Sequence, residues 1–464
     1  MINPIVNYIF TLYAGLGADV ASSLETIIPV FLIAIFAAAF LASRTKIPYT
    51  IMLVGIGISL SIFFSYENYP LNHGIISIEQ FRIDPKLVID FIIPPLIFEA
   101  MMRVDYAEFK KIRISAMLLA TAGVVIATLV GGYLLIYLAG LPFIVAFALS
   151  ALLSPTDAVM VIEIFKKVRV PSVLANLMES EASFNDATGA IAFSSIIALA
   201  LGTGSTILGS FSPSVDLGVN GHNNFGLGAA VVSNILLETE LFAIEFFGGI
   251  AIGLAIAAAT HRLHKLINDP FSEIALTVAT VFGSTILANS LGLSGLVAAA
   301  VAGLYFGNIT IRNESVVSAK VRASAFSFWE IIAFFASSAA FFYLGVTTNI
   351  ASISHNILLI IIAFIAILAA RASASYGILT ATTKFTKESI PMPWRHVAML
   401  GGMRGAISVA LAASLPESEF KNTILSITFG VVFSSMIIQY ILLSRYVKKA
   451  FAEDDDDRSI HLKR

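Results

Sequence analysis

The sequence predicts an all-α polytopic membrane protein. Three observations carry this. Only 12% of the 464 residues are charged while 58% are hydrophobic, and soluble domains carry about 25% charged residues. Apolar runs of membrane-crossing length recur along the chain. Basic residues collect in every second segment between those runs, on one side.

Reading apolar runs between polar breaks gives about thirteen spans: 24–43, 48–65, 86–102, 114–138, 142–165, 171–202, 228–260, 271–290, 294–307, 323–348, 353–382, 396–415 and 421–444. The ninth is short, as a tilted or partly unwound helix would be. Lysine and arginine test the count. Of 28, 23 fall after odd-numbered spans, 3 (Arg82, Lys86 and Lys421) fall on the other side, and Arg371 and Arg404 lie inside spans. A miscounted span would scramble that alternation. Positive charge collects on the cytoplasmic side, so the amino terminus is expected outside and the carboxyl terminus inside, in a plasma or inner membrane.

The remaining segments exclude other classes. The net charge of −2 offers nothing to nucleic acid, and the absence of cysteine excludes disulfides and thiolate chemistry. The first 43 residues hold no Lys or Arg, so no cleavable signal peptide is expected. Residues 1–23 read as an external segment, 24–444 as the transmembrane domain and 445–464 as a short cytoplasmic tail with solvated acids at 453–457. The Gly/Ser/Asn-rich stretch 203–227 reads as the longest external loop. The sequons at Asn308 and Asn313 fall on the cytoplasmic side, where glycosylation is not expected. "GLGADVAS" near Gly15 lacks the preceding strand of a dinucleotide site.

Ionisable groups inside spans cost at least about 2.5–3.5 kcal/mol each at mid-helix, so each needs a local reason. The candidates are Glu99, Asp157, Glu181, Asp186, Glu330, Arg371 and Arg404; Glu163, Glu179 and Glu273 sit nearer span ends and are expected to reach the interface. "LLSPTDAV" places Asp157 and Thr156 beside Pro155, which removes a backbone donor and frees carbonyls. Unwound helix ends with free carbonyls are where transporters hold small cations. "MLGGMRGAIS" makes the matching break, with Gly401, Gly402 and Gly405 around Arg404. The two breaks lie in spans five and twelve, penultimate in each half about the seventh, and the halves run in opposite directions. Along the sixth span Glu181 and Asn185 share a face while Asp186 projects elsewhere. Arg404 needs a carboxylate, and the geometry of the sixth span lets Glu181 pair with an arginine. Asp157 and Asp186, close together and buried, would accept either a cation or a proton.

At these residues the sequence resembles the monovalent cation–proton antiporter superfamily, and within it the NhaP-like sodium–proton antiporters related to the eukaryotic sodium–proton exchangers. The resemblance covers nearly the whole chain. It rests on "IIPPLIFEA" (92–100), "SPTDAV" (154–159), "ESEASFNDATG" (179–189), "LGLSGLVAAAVAGLYFGN" (291–308), "FWEIIAF" (328–334), "AARASASY" (369–376) and "GGMRGAISVALAASLP" (401–416). It implies two inverted six-helix repeats joined by an extra helix, with crossed helices broken at about 154–159 and 401–405. It also implies a mobile core (about 114–202 and 353–444), interface helices (about 24–102 and 228–348) and a homodimer. It assigns Asp186 as the ion-binding aspartate, with Asp157 and Thr156 as partners, Asn185 beside it, Glu181 and Arg404 as a buried pair, and Glu99 across the cleft. One departure matters: the family's serine directly after the glutamate is Ala182 here, leaving Ser183 or water to supply that oxygen.

The function expected is exchange of Na⁺, with Li⁺ as a further substrate, for H⁺ by alternating access, serving pH and sodium homeostasis. No enzyme activity and no cofactor are expected. The family's electrogenic members carry two adjacent aspartates, so Asn185 implies electroneutral one-for-one exchange. The alternatives are an antiporter preferring K⁺, a cation channel, for which no filter-like repeat is present, and an intramembrane aspartyl hydrolase, which would leave the buried arginine unexplained.

Overall fold

In the computed structural model, the residues described are 18–45, 47–65, 85–201, 227–267, 269–312, 317, 319–348, 350–415, 418 and 420–461. They are helical, with no strand among them. Residues 1–17 and most of the expected loop at 203–227 lie outside this set, as does the sequon at Asn313.

The chain divides into two compact units. The first holds residues 1–84 and 338–351. Its helices are α1 (Ala18–Arg44), which begins inside the segment expected to precede the first span, and α2 (Tyr49–Ser65). They pack on one another. Tyr49 and Ser338 share a 2.7 Å hydroxyl hydrogen bond, and Ser61 donates to the Thr348 carbonyl at 3.0 Å. Hydroxyls that return to carbonyls or meet each other satisfy polar groups that lipid cannot.

The second unit holds residues 85–337 and 352–464. A π-helical turn, Val88–Ile92, leads into α3 (Ile93–Arg103), followed by the short α4 (Tyr106–Phe109). Next come α5 (Arg113–Ala120), α6 (Ala122–Ala139), α7 (Phe143–Leu152), α8 (Val159–Lys167) and α9 (Ser172–Leu201). Then follow α10 (Leu227–His264), α11 (Pro270–Ser290), α12 (Gly295–Tyr305) and α13 (Ala319–Val346), whose residues from Ser338 on belong to the first unit. The chain closes with α14 (Ile350–His355), α15 (Ile357–Phe385), α16 (Met392–Leu400), α17 (Ala406–Ala413) and α18 (Lys421–His461). The backbone of α18 stays helical through the acidic stretch at 453–457.

Local chemistry sets these boundaries. Asp269 caps α11 by accepting from the Ser272 N–H at 2.9 Å, with Pro270 at the first helical position. Ser294 caps α12. Gly140, at φ +64°, closes α6 in the left-handed region. α5 has no capping side chain of its own. Glu388, from the α15–α16 connection, takes that place, accepting from the Ile114 and Ser115 amides at 2.8 Å each and the Ser115 hydroxyl at 2.6 Å.

Seven helices among the described residues are long and apolar enough to cross a membrane, and 49–63, 143–152 and 295–310 are shorter apolar helices. The expected fifth and twelfth spans are each two half-helices, α7 with α8 and α16 with α17. The short ninth is α12 ending in a π-helical turn, Phe306–Thr310. Packing within this unit forms two groups. α6 lies along α15 and α7, and α9 packs on α5 and α7. Separately, α3, α10 and α11 pack on α12, with fully buried Phe98, Met102 and Trp329 at the centre. The Trp329 indole N–H donates to Thr277 at 2.9 Å, so its one polar atom is satisfied.

Candidate functional site: two broken helices joined across their breaks

Helix α7 stops because Pro155 follows it, and α8 restarts at Val159. Helix α16 stops at Leu400 and α17 restarts at Ala406, with 401–405 irregular between them. Each break exposes the unpaired carbonyls of one half-helix and the unpaired amides of the next. The structure pairs them across the gap. The Asp157 N–H donates to the Met403 carbonyl at 2.8 Å. The Arg404 guanidinium donates to the Ser154 and Pro155 carbonyls at 2.6 and 2.9 Å. Arg404 thus places its charge at the negative end of the α7 dipole. At the positive end of α8, Asp157 Oδ1 accepts from the Val159 N–H at 2.8 Å. The Arg404 backbone N–H reaches the Ser435 hydroxyl of α18 at 3.0 Å.

The third element is α9. Its acidic and polar residues divide by helical phase. Glu181 and Asn185 share one face; Glu179, Ser183 and Asp186, at i, i+4 and i+7, lie nearly opposite. On the first face the expected partner of Glu181 is corrected. Glu181 pairs with Arg371 of α15, not Arg404, through two parallel hydrogen bonds of 2.7 and 2.9 Å. Arg371 also donates to the Ala398 carbonyl of α16 at 3.1 and 2.9 Å. Both side chains are almost wholly buried. The reason is spatial: Arg404 is spent on the carbonyls of the facing break, while Arg371 reaches Glu181 and the end of α16 together.

Asn185 completes that face. Its amide donates to Glu181 at 2.6 Å and to the Thr156 hydroxyl at 2.8 Å, and its oxygen accepts from the Thr156 N–H at 3.2 Å. An aspartate there would lose both donors and set a second negative charge beside Glu181.

On the opposite face, Asp186 accepts no hydrogen bond from the described residues, and the charges that act on it are those of Asp157 and Glu181. Since Glu181 is neutralised by Arg371, the unpaired charge at the crossing belongs to Asp157 and Asp186. Both are partly exposed, whereas Thr156, Glu181, Asn185 and Arg404 are buried. Ser183 donates to the Glu179 carbonyl at 2.8 Å, which leaves its oxygen lone pairs unengaged. Among the described residues no three His, Asp or Glu side chains gather as a metal cluster.

Other expected residues lie apart from this crossing. Glu99 is held by Arg103 one turn along α3, and Arg103 is also 3.5 Å from Glu330. Glu330 is exposed. Glu163 pairs with Lys167 at 2.9 Å. Glu273 does not reach out from a helix end: it is 3% exposed in the first turn of α11. Asn308 is engaged by the Val104 and Leu304 carbonyls.

Two residues escaped the sequence reading in part. Arg371 was visible as an intramembrane charge, but nothing in its spacing named its partner. Glu388 left one signal, the absence of a capping side chain before α5.

Comparison with known proteins places this geometry. A family model described as "Sodium/hydrogen exchanger, transmembrane" matches residues 31–449. The chain is 31% identical to the Na(+)/H(+) antiporter ApNhaP of Aphanothece halophytica over 406 residues, 87% of this chain and 70% of that protein. It is 28% identical to the Na(+)/H(+) antiporter NhaP of Pseudomonas aeruginosa, over 82% of this chain and 84% of that one. Its fold is similar to that of the sodium proton antiporter MjNhaP1 of Methanocaldococcus jannaschii at pH 8, with a TM-score of 0.69, 17% identity, and coverage of 92% and 99% of the two chains. A match over nine-tenths of the chain, together with the two crossed breaks, assigns it: this chain belongs to the sodium/hydrogen exchanger family.

Proposed function

We propose that this chain exchanges Na⁺ for H⁺ across a membrane and that the reaction is a competition for Asp157 and Asp186. One observation carries this reading: among the described residues at the crossing of the two breaks, Glu181, Arg371 and Arg404 each have a partner. Glu181 has Arg371, and Arg404 has two carbonyls. Two carboxylates remain, partly exposed, beside a threonine hydroxyl. Hard monovalent cations take such oxygen ligands. The relatives that match are named Na(+)/H(+) antiporters, which supports the same substrates.

The cycle needs only these groups. With both aspartates ionised, Na⁺ sits between them, with the Thr156 oxygen and the oxygen of Ser183 or water completing its shell. After the site faces the other side, Na⁺ leaves and one proton takes its place on the pair. The site then carries the same net charge loaded with either substrate, so exchange is one-for-one and electroneutral. Li⁺ fits the same ligands; a preference for K⁺ is the alternative that a selectivity series decides. Glu99, tied to Arg103, acts from the side of the cleft rather than inside the pair.

The wider arrangement follows the same reading. Thirteen spans in two inverted repeats carry the site, with the amino terminus outside, the carboxyl terminus inside, and a second copy against the interface helices. The core helices move against them to alternate access.

Everted membrane vesicles test the proposal. Adding Na⁺ to a pre-formed pH gradient should dissipate it, and the apparent KM for Na⁺ should rise by about tenfold per pH unit on the acid side if one proton displaces one cation. A gradient untouched by Na⁺ and Li⁺ at every pH would refute it.

A further inference from the structure

Gly405 follows Arg404 in the second break and touches the first. A methyl on its Cα would fall 2.5 Å from Asp157 Oδ2, 2.9 Å from Cγ and 2.7 Å from Cβ, and those are the three nearest atoms. Ordinary contact begins at 3.4 Å. The backbone is not the reason for glycine here, because its φ of −116° is open to any residue. The reason is the carboxylate lying on the bare Cα.

Two further contacts hold that carboxylate: Oδ1 on the Val159 amide and the Asp157 N–H on the Met403 carbonyl, each at 2.8 Å. The main chain of Asp157 therefore cannot retreat without breaking the link between the breaks. A methyl at 405 would meet the Asp157 Cβ as well, so turning the carboxylate alone does not clear it: the whole side chain must shift by about 0.5–0.9 Å, the shortfall from ordinary contact.

We propose that Gly405 is a positioning residue that sets ion selectivity: its bare Cα seats the Asp157 carboxylate at the distance that suits the transported cation. This rests on the reading of Asp157 as a cation ligand. Sodium and lithium prefer different oxygen distances, so a displaced carboxylate changes their ratio rather than scaling both alike. Gly402, three residues earlier, provides the contrast. The three atoms nearest a methyl there all belong to Arg371, at 2.7–3.0 Å, so it would disturb the Glu181 pair instead.

The experiment is proton flux driven by Na⁺ and by Li⁺ in proteoliposomes of the full chain, with thermal melting of the same preparations. Gly405→Ala should change the apparent KM for Na⁺ by about tenfold and the Na⁺-to-Li⁺ KM ratio by at least about threefold, with Vmax far less affected. Gly402→Ala should keep the parent ratio and melt lower. A folded Gly405→Ala protein with the parent ratio overturns the proposal. If Gly405→Ala melts too low to assay, adding Asp157→Gly should restore melting toward that of Asp157→Gly alone, because Cβ, Cγ and Oδ2 are then all gone; additive losses overturn it. Asp157→Asn separates the two readings: retained sodium-dependent flux in that variant refutes Asp157 as ligand, whatever Gly405 does.

Discussion

The two breaks are built from opposite materials. The first, at 154–158, holds a proline, two hydroxyls and a carboxylate; the second, at 401–405, holds three glycines and an arginine. Proline frees carbonyls and aspartate brings negative charge. The second break answers with a guanidinium on those carbonyls, a main-chain carbonyl for the Asp157 amide, and a bare Cα where the carboxylate lies. Neither break is stable alone at membrane depth, where unsatisfied backbone costs several kcal/mol per group. The difference is a division of labour: one break carries the carboxylate, and the other holds it still.

The sharpest way to test that division is to remove charge from the carboxylate of α9 that faces the first break. Asp186→Asn should reduce sodium-dependent proton flux by more than about 100-fold while leaving the melting temperature within a few degrees, since Asp186 has no hydrogen-bond partner to lose among the described residues. Flux at the parent level would break the comparison.

Next in size is the pair behind the site. Arg371→Ala and Glu181→Gln should each destabilise by about 3–5 kcal/mol, because either leaves a buried charge alone. The double variant should cost no more than the worse single one, as expected for residues acting as a unit. Thermal melting in detergent reads both; strict additivity would mean the pair is not the unit described.

The smallest effect belongs to the holding side. Arg404→Ala should lower stability by about 2–3 kcal/mol, through lost charge-assisted bonds to two carbonyls. Its loss should not add to that of Pro155→Ala as independent sites would, because both act on the same helix end. A melting curve unchanged in Arg404→Ala would show that water caps α7 equally well.

How much of this was legible beforehand divides along a physical line. Pro155, Asp157 and the glycine–arginine stretch at 401–405 announced their breaks, because proline and glycine act on the backbone locally. The separation of Glu181 and Asn185 from Asp186 was also local, a matter of 100° per residue along α9. The partner of Glu181 was not local. Two arginines, Arg371 and Arg404, were equally plausible by charge, and the one chosen depended on where α15 crosses α9. Glu388 capping α5 from more than 270 residues away was invisible for the same reason.

The sequence by itself determined the membrane environment, the order of the apolar runs, the places where two helices must break, and the short set of charged residues that need partners. These follow from composition and from rules acting within a few residues. Only the tertiary structure decided which charges cancel, which carboxylates are left over, and why Gly405 must lack a side chain. Those depend on distances of 2.5–3.2 Å between residues far apart in the chain, which the approach of packed helices alone can set.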